Sequence, residues 1–306
     1  MDNETNASYL TLSGFGEMNK YRYLFFAILF TIYVLIICSN STIVYIIWKT
    51  QNLHEPMYIF IAALLFNCVV YATTVYPKLL IDFVSEKQII SYSACLFQFF
   101  MFYSVGGTEF LLLAAMAFDR YVSICKPLLY QTIMRKSTVN IILILVWFLP
   151  ACHIAAETIL SAETKICNIN MKGIFCNNVF FSLHCVKSRA LTVLGLVSLL
   201  DLVLLPMLFT FFTYAKIFLV LFQNGKIFRR KAAETCIPHL LVLINFSYLA
   251  AYDVAIARVE SDVSKIAHFI MTLQIFLYHP LFNPFIYGLK MKDISKQLKH
   301  FYLNKV

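Results

Sequence analysis

The sequence predicts an all-α fold, a bundle of seven transmembrane helices followed by a short amphipathic eighth helix. Three observations carry that expectation. Of 306 residues, 60% are hydrophobic and 13% charged, with a mean hydropathy of +0.75; a soluble domain of this size needs far more charge to cover its surface. The apolar residues come in blocks of about 20 or more, not as a periodic stripe, which is the mark of bilayer-spanning helices. The basic residues gather on one side of those blocks, as the positive-inside rule asks.

The blocks run 23–48, 57–83, 94–118, 139–160, 191–222, 235–258 and 266–288. At about 1.5 Å rise per residue, each crosses a ~30 Å hydrocarbon core with length left for tilt. The first follows a polar N-terminus and, at about 26 residues, is too long for the apolar core of a cleaved signal, so it reads as a retained anchor. The inner loops 50–56, 122–138 and 223–234 are short, and the only long connection is outer, 162–190. A loop of that length fixed by disulfides is usually functional, often a lid over a site. After the last block, Ile294, Leu298 and Tyr302 recur at helical spacing among lysines, which predicts a short helix lying on the inner leaflet. The chain reads as one domain, 1–306, with an extracellular tail 1–22, the bundle 23–288 and a cytoplasmic tail 289–306. It has no repeats, no low-complexity segment and no soluble module.

With the N-terminus outside, the cytoplasmic segments hold Lys49, Arg120, Lys126, Arg135, Lys136, Lys216, Lys226, Arg229, Arg230, Lys231, Lys290, Lys292, Lys296, Lys299 and Lys305. That is fifteen of the 25 basic residues, against four acids, Glu55, Asp119, Glu234 and Asp293. The net charge of +9 is therefore topology and not a nucleic-acid footprint, since no basic stretch stands apart from a helix end. The partner it implies is the lipid bilayer. Two sequons, at Asn3 and Asn6, sit on the exposed tail and read as glycosylation sites; those at Asn40 and Asn245 lie inside spans, beyond the transferase's reach.

Nine cysteines divide by place. Cys38, Cys68, Cys125, Cys152 and Cys236 fall in spans or on the inner side and read as reduced packing residues. Cys95, Cys167, Cys176 and Cys185 fall at the outer head of the third helix and in the long outer loop. Four thiols there suggest two bridges in one of three connectivities, and spacing alone does not choose.

Phe102, Gly106, Glu109, Leu113, Met116 and Arg120 follow 4-3-4-3-4 spacing and share one face of the third helix. That stripe spans 18 residues, roughly 27 Å, from the outer half of the bundle to its inner mouth. For Leu113 and Met116 plain packing is the better reading. Glu109 is different, because a carboxylate at mid-membrane costs about 3 kcal/mol or more unless paired, protonated or hydrated. The seven histidines are scattered, with no His-Glu-x-x-His or Gly-x-Ser-x-Gly, so the sequence offers neither an enzyme nor a metal site. Repeat symmetry and broken helices, the signs of a transporter, are also missing.

Five stretches carry a resemblance. Leu53-His54-Glu55-Pro56-Met57-Tyr58 opens the second span, and 116–128 (MAFDRYVSICKPL) closes the third. Thr213-Tyr214-Ala215-Lys216-Ile217 ends the fifth, 231–240 (KAAETCIPHL) starts the sixth, and 280–287 (PLFNPFIY) ends the seventh. In order and spacing, over the whole chain, these resemble the odorant (olfactory) receptor family of rhodopsin-like G-protein-coupled receptors. The Asn67 region, Tyr76-Pro77-Lys78 and Lys87-Gln88 look like its fish branch, whose ligands are dissolved. The chain departs from the family at Cys68, where most members have Asp, and at Phe246-Ser247, where Phe-Tyr is usual. An amine receptor would have an acid where Phe102 stands, and a retinal opsin a Lys near Phe276.

The resemblance implies a receptor, not an enzyme, without a cofactor, whose partners are a small odorant and a heterotrimeric G protein raising cyclic AMP. It implies the plasma membrane, in olfactory cilia, with the N-terminus outside. It implies bridges Cys95–Cys176 and Cys167–Cys185. Asp119, Arg120, Tyr121, Tyr214, Asn283, Pro284 and Tyr287 would form the G-protein switch, with Arg120 paired to Asp119 at rest and bends at Pro206 and Pro284. Asn40, Asn67 and Glu109 would form a polar core. In the family Glu109 joins the second-helix Asp in a sodium site; with Cys68 there instead, two readings stay open, a protonated Glu109 bonded to Asn67 or Asn283 and a weak ion site. The ligand would lie among Gln98, Phe99, Phe102, Tyr103 and Gly106 of the third helix, Gly195, Ser198 and Leu202 of the fifth, Ala251, Val254 and Arg258 of the sixth, and Phe269, Leu273 and Phe276 of the seventh. Arg258 reads equally as a grip on a ligand carboxylate and as a rim arginine paired with Glu260 or Asp262.

Overall fold

The computed structural model describes residues 9–15, 20–223, 236–237, 240–248, 250–252 and 265–303. Its long helices are α1 (Arg22–Lys49), α2 (Pro56–Val84), α3 (Tyr92–Cys125) and α4 (Lys136–Ala162). Then α5 is built of Arg189–Leu199, a π-helical stretch Leu200–Leu204 and Leu205–Gln223. A shorter apolar helix, α6 (Leu240–Tyr252), precedes α7 (Lys265–Lys290) and α8 (Lys292–Leu303). Among the described residues six helices are long and apolar enough to cross a membrane: α1 to α5 and α7.

Their ends follow local chemistry. Pro56 starts α2 where a missing N–H costs nothing. Ser91 and Ser188 cap α3 and α5, accepting from the N–H groups of Ala94 and Leu191. Inside the spans, the hydroxyls of Thr31, Ser39, Thr42, Thr73 and Thr108 donate to the carbonyl four residues back, so none faces lipid unpaired. The π stretch ends just before Pro206, where the ladder loses an N–H and must re-form. Helix α3 runs seven residues past the sequence-predicted end at 118, because the charge of Asp119 is matched inside the helix and does not break it.

Burial fixes the arrangement. In the apolar window of α3 72% of residues are buried, against 17% in α1, so α3 is the axial post and α1 is peripheral. Leu24, Ile28, Ile141, Ile144, Phe148, Leu208, Phe212 and Phe222 are exposed, a belt that only lipid can cover.

The tail holds a surprise. Tyr9–Leu12 is a strand, β1, lying between β2 (Ile89–Ser91) and β3 (Asn170–Met171), antiparallel to the first and parallel to the second. Its alternate residues Leu10 and Leu12 are buried, as is Phe15. Gly14 passes so close to Gly173 that an added Cβ would stand 2.6 Å from its carbonyl carbon. The predicted polar tail 1–22 is therefore partly a plug on the end of the bundle that carries the long loop, the outer end of the expected topology.

Candidate functional site

Three groups of side chains stack along α3. At the outer end, two disulfides pin the long loop: Cys95–Cys176 ties it to the head of α3, and Cys167–Cys185 closes it on itself. This is the pairing the resemblance implies. The loop turns inward, burying Phe175, Cys176, Phe180 and Leu183. Phe175 lies 4.8 Å from the ring of Phe102 and 5.6 Å from that of Phe276, and Tyr71 of α2 stacks on Phe102 at 4.9 Å. Phe102, Phe276, Tyr71 and Phe175 thus make a packed aromatic cluster, an aromatic box closed on itself and roofed by the loop. Neither Tyr71 nor Phe175 was expected here: α2 is largely apolar all round, and nothing in a loop sequence says which residue turns inward.

Other expected ligand residues fall in different places. Gln98 is consumed by structure: its Nε2 donates to the Thr74 carbonyl (3.0 Å) and its Oε1 accepts from the Cys176 N–H (2.9 Å). Tyr103 accepts from the Asn178 N–H at 2.8 Å. Phe99 packs on Tyr103 and Phe181, in one cluster with Leu202. Gly106 faces the ring of Tyr71. Ser198 turns to α4, donating to the buried Glu157 carboxylate and lying 3.4 Å from His153 Nδ1. Phe269 meets Phe25 of α1 and Phe83 of α2, away from α3. Leu273 packs against the outer core at partial burial. Ala251 is exposed in line with Leu241, Ile244 and Tyr248, while Val242, Leu243 and Phe246 are the buried face; the expected inward face of α6 is turned. Val254, Arg258, Asn3 and Asn6 lie outside the described residues.

At mid-bundle Asn67 and Glu109 of the expected polar core meet, joined by Asn283, Cys68 and His279, while Asn40 does not join them. Glu109 is fully buried. Asn67 donates to its Oε2 (3.3 Å) and to the Val105 carbonyl, and Asn283 donates to its Oε1 (3.4 Å). His279, read from sequence as one of seven scattered histidines, places Nδ1 3.1 Å from Glu109 Oε1. Cys68 Sγ lies 3.2 Å from Asn283 Nδ2. His279 and Asn283 share one face of α7 at i, i+4, and α7 delivers both to Glu109 of α3. Asn40 stands apart with a task of its own. Its Nδ2 donates to the Pro280 carbonyl at 2.9 Å, the acceptor that Pro284 cannot serve for want of an N–H. Sodium fits this set poorly, because the Asp oxygen of the family is replaced by sulfur and an imidazole joins, while hard cations prefer oxygen.

At the inner end, Arg120 donates from Nη2 (3.0 Å) and Nε (3.2 Å) to Asp119 Oδ2, the resting pair that the resemblance implies. Tyr130, on the helical turn after α3, donates to Asp119 Oδ1 at 2.9 Å. Burial, and then the Asp119 charge, raise the Tyr130 phenol, so it stays a donor. Tyr121 lies under the Lys126 ammonium at 5.9 Å. Tyr214 and Tyr287 are buried nearby, and the Tyr214 hydroxyl has no hydrogen-bond partner among the described residues.

The olfactory receptor family model matches residues 29–305. Olfactory receptor 13C9 of Homo sapiens is 32% identical over 306 residues, covering 98% of this chain and 96% of its own. Olfactory receptor 11A1 of Homo sapiens is 34% identical, covering 97% and 94%. The olfactory receptor-like protein OLF4 of Canis lupus familiaris is 28% identical, covering 100% and 99%. In three dimensions the chain resembles squid rhodopsin with a TM-score of 0.78 at 17% identity, over 97% of this chain and 91% of that one. The shared fold is the seven-helix bundle.

Proposed function

Because the chain belongs to the olfactory receptor family of multi-pass membrane receptors, we propose that it binds a small, water-soluble odorant in the outer half of the bundle and activates a stimulatory G protein that raises cyclic AMP. The observation that carries this reading is the single helix α3, which holds Phe102 in the aromatic box and Arg120 in the clamp on Asp119. The aromatic side chains offer dispersion and few fixing polar groups, which suits the apolar part of a small odorant. Any shift of α3 against α2 or α7 that a ligand favours is felt at Arg120, and a ligand moves the equilibrium by its difference in affinity for the two states. Freed from Asp119, the Arg120 guanidinium reaches the G protein, with Tyr214, Asn283, Pro284 and Tyr287 supporting the moved helices. The N-terminus faces outward, in the plasma membrane of olfactory cilia, with Asn3 and Asn6 glycosylated. Arg258 supplies a grip for a ligand carboxylate.

The test is cyclic AMP in transfected cells challenged with a panel of dissolved odorants. Arg120→Ala should keep surface expression and odorant binding but lose signalling at least tenfold, since it removes the cation of the switch and not the box. Full signalling by a well-expressed Arg120→Ala would defeat the assignment. Comparing an activating acid with its methyl ester, before and after Arg258→Ala, decides the role of Arg258; equal potencies would make it a rim residue.

A further inference from the structure

We propose that Cys68, Glu109 and His279 form a binding site for a borderline-soft divalent cation of the Zn2+ type, with the Asn283 amide oxygen as fourth ligand. The three side chains offer a sulfur, a carboxylate oxygen and an imidazole nitrogen, all within 4.8 Å of one another and all buried. Sulfur, nitrogen and carboxylate are the donors that zinc takes in tetrahedral sites.

The amide nitrogen of Asn283 lies within reach of all three groups. It lies 3.2 Å from Cys68 Sγ, 3.4 Å from Glu109 Oε1 and 3.3 Å from His279 Nδ1. His279 Nδ1 is also 3.1 Å from Glu109 Oε1, so the three candidate ligand atoms converge on one another as well as on the amide. Turning the amide over puts Oδ1 in place of the nitrogen; the side chain must then draw back to admit an ion between it and the other three groups, which close to about 2.0–2.3 Å. An outer shell is also in place. Asn67 holds the other carboxylate oxygen, and Phe246 packs on the His279 ring at 4.7 Å.

Charge favours a divalent ion at this depth. A thiolate, a carboxylate and a neutral imidazole around Zn2+ sum to zero, and a neutral assembly is what a low-dielectric bundle tolerates. The thiol proton, and any carboxyl proton, leave to solvent on binding, so affinity falls as pH falls. The ion would bridge α2, α3 and α7 between the aromatic box and the Arg120 clamp. It would hold the packing in which those helices meet, and so act against activation.

The experiment uses the full receptor in lipid nanodiscs, with Co2+ as a coloured stand-in for Zn2+, and needs neither an odorant nor a G protein. The native protein should give a near-ultraviolet thiolate-to-cobalt band with one equivalent of metal, bleached by Zn2+. Cys68→Ser should abolish the band, His279→Gln should weaken binding by about tenfold or more, and Cys38→Ser, a lipid-side control, should leave it intact. Zn2+ should raise the unfolding temperature of the native protein and Na+ should not. Three results would overturn the site: no thiolate band in folded receptor, a band that survives Cys68→Ser, or equal stabilisation by sodium and zinc. Should Cys68→Ser fail to fold, alkylation of Cys68 in the native chain decides: slowing by Zn2+ supports the site, and an unchanged rate removes it.

Discussion

Asp119 shows how much one side chain can hold. It is fully buried, yet it faces a guanidinium on one oxygen and a phenol on the other. A buried carboxylate with two such donors is stable where a bare one is not. Tyr130→Phe removes one donor and leaves the ring. At about 1 kcal/mol for the lost bond, ligand-free cyclic AMP should rise severalfold, because the resting state alone loses it. Basal signalling equal to the native receptor's would take Tyr130 out of the clamp. Gln98 is the opposite case, a residue that looks like a ligand contact and is a tie between α2, α3 and the loop. Gln98→Leu should lower stability by about 1–3 kcal/mol in thermal unfolding in nanodiscs. A change in odorant potency with unaltered stability would restore Gln98 to the ligand site.

The outer loop is the element with the most varied support. One disulfide ties its middle to α3 and the other closes it on itself, its aromatic residues reach into the bundle, and His184 anchors its far end. The His184 Nε2 lies 3.2 Å from Ser161 Oγ, and the ring meets Phe180 and Phe181 edge-on. Burial lowers this imidazole below the ordinary 6.5. The undocked loop therefore binds a proton more readily than the docked one. Docking is strongest above about pH 6.5 and weakens as pH falls through and below it. Protection against hydrogen exchange across 178–185, taken relative to the intrinsic rates, should fall on acidification, and His184→Gln should flatten that dependence. A native loop whose exchange follows only the intrinsic pH trend would leave His184 as a packing residue.

At the scale of the whole molecule, the bundle is closed at its outer end by three separate pieces of chain. β1 joins the edge of α2–α3 to the long loop, and Leu10 inserts with no exposure at all. Leu10→Asp would bury an unpaired carboxylate at a cost of several kcal/mol. Surface expression should collapse, and the amides of 89–91 and 170–171 should lose protection in whatever folds. Normal expression with unchanged protection would mean the strand is dispensable.

The sequence by itself determined the spans, because a bilayer demands long apolar runs and nothing else satisfies the backbone inside it. Blocks 23–48, 57–83 and 139–160 lie within two or three residues of α1, α2 and α4. It also determined the stripe from Phe102 to Arg120, since helical spacing converts directly into a shared face. The tertiary structure decided what touches what. His279 became a partner of Glu109 because α7 crosses α3 at one height, and no periodicity in a single segment encodes a crossing. Ser198, Phe269 and Ala251 turned from the expected site because an all-apolar helix shows no polar face by which to read its rotation. Four residues of β1 carried a legible alternation, Tyr9-Leu10-Thr11-Leu12, but a strand is defined by its partners, and those lie 77 or more residues away in the chain.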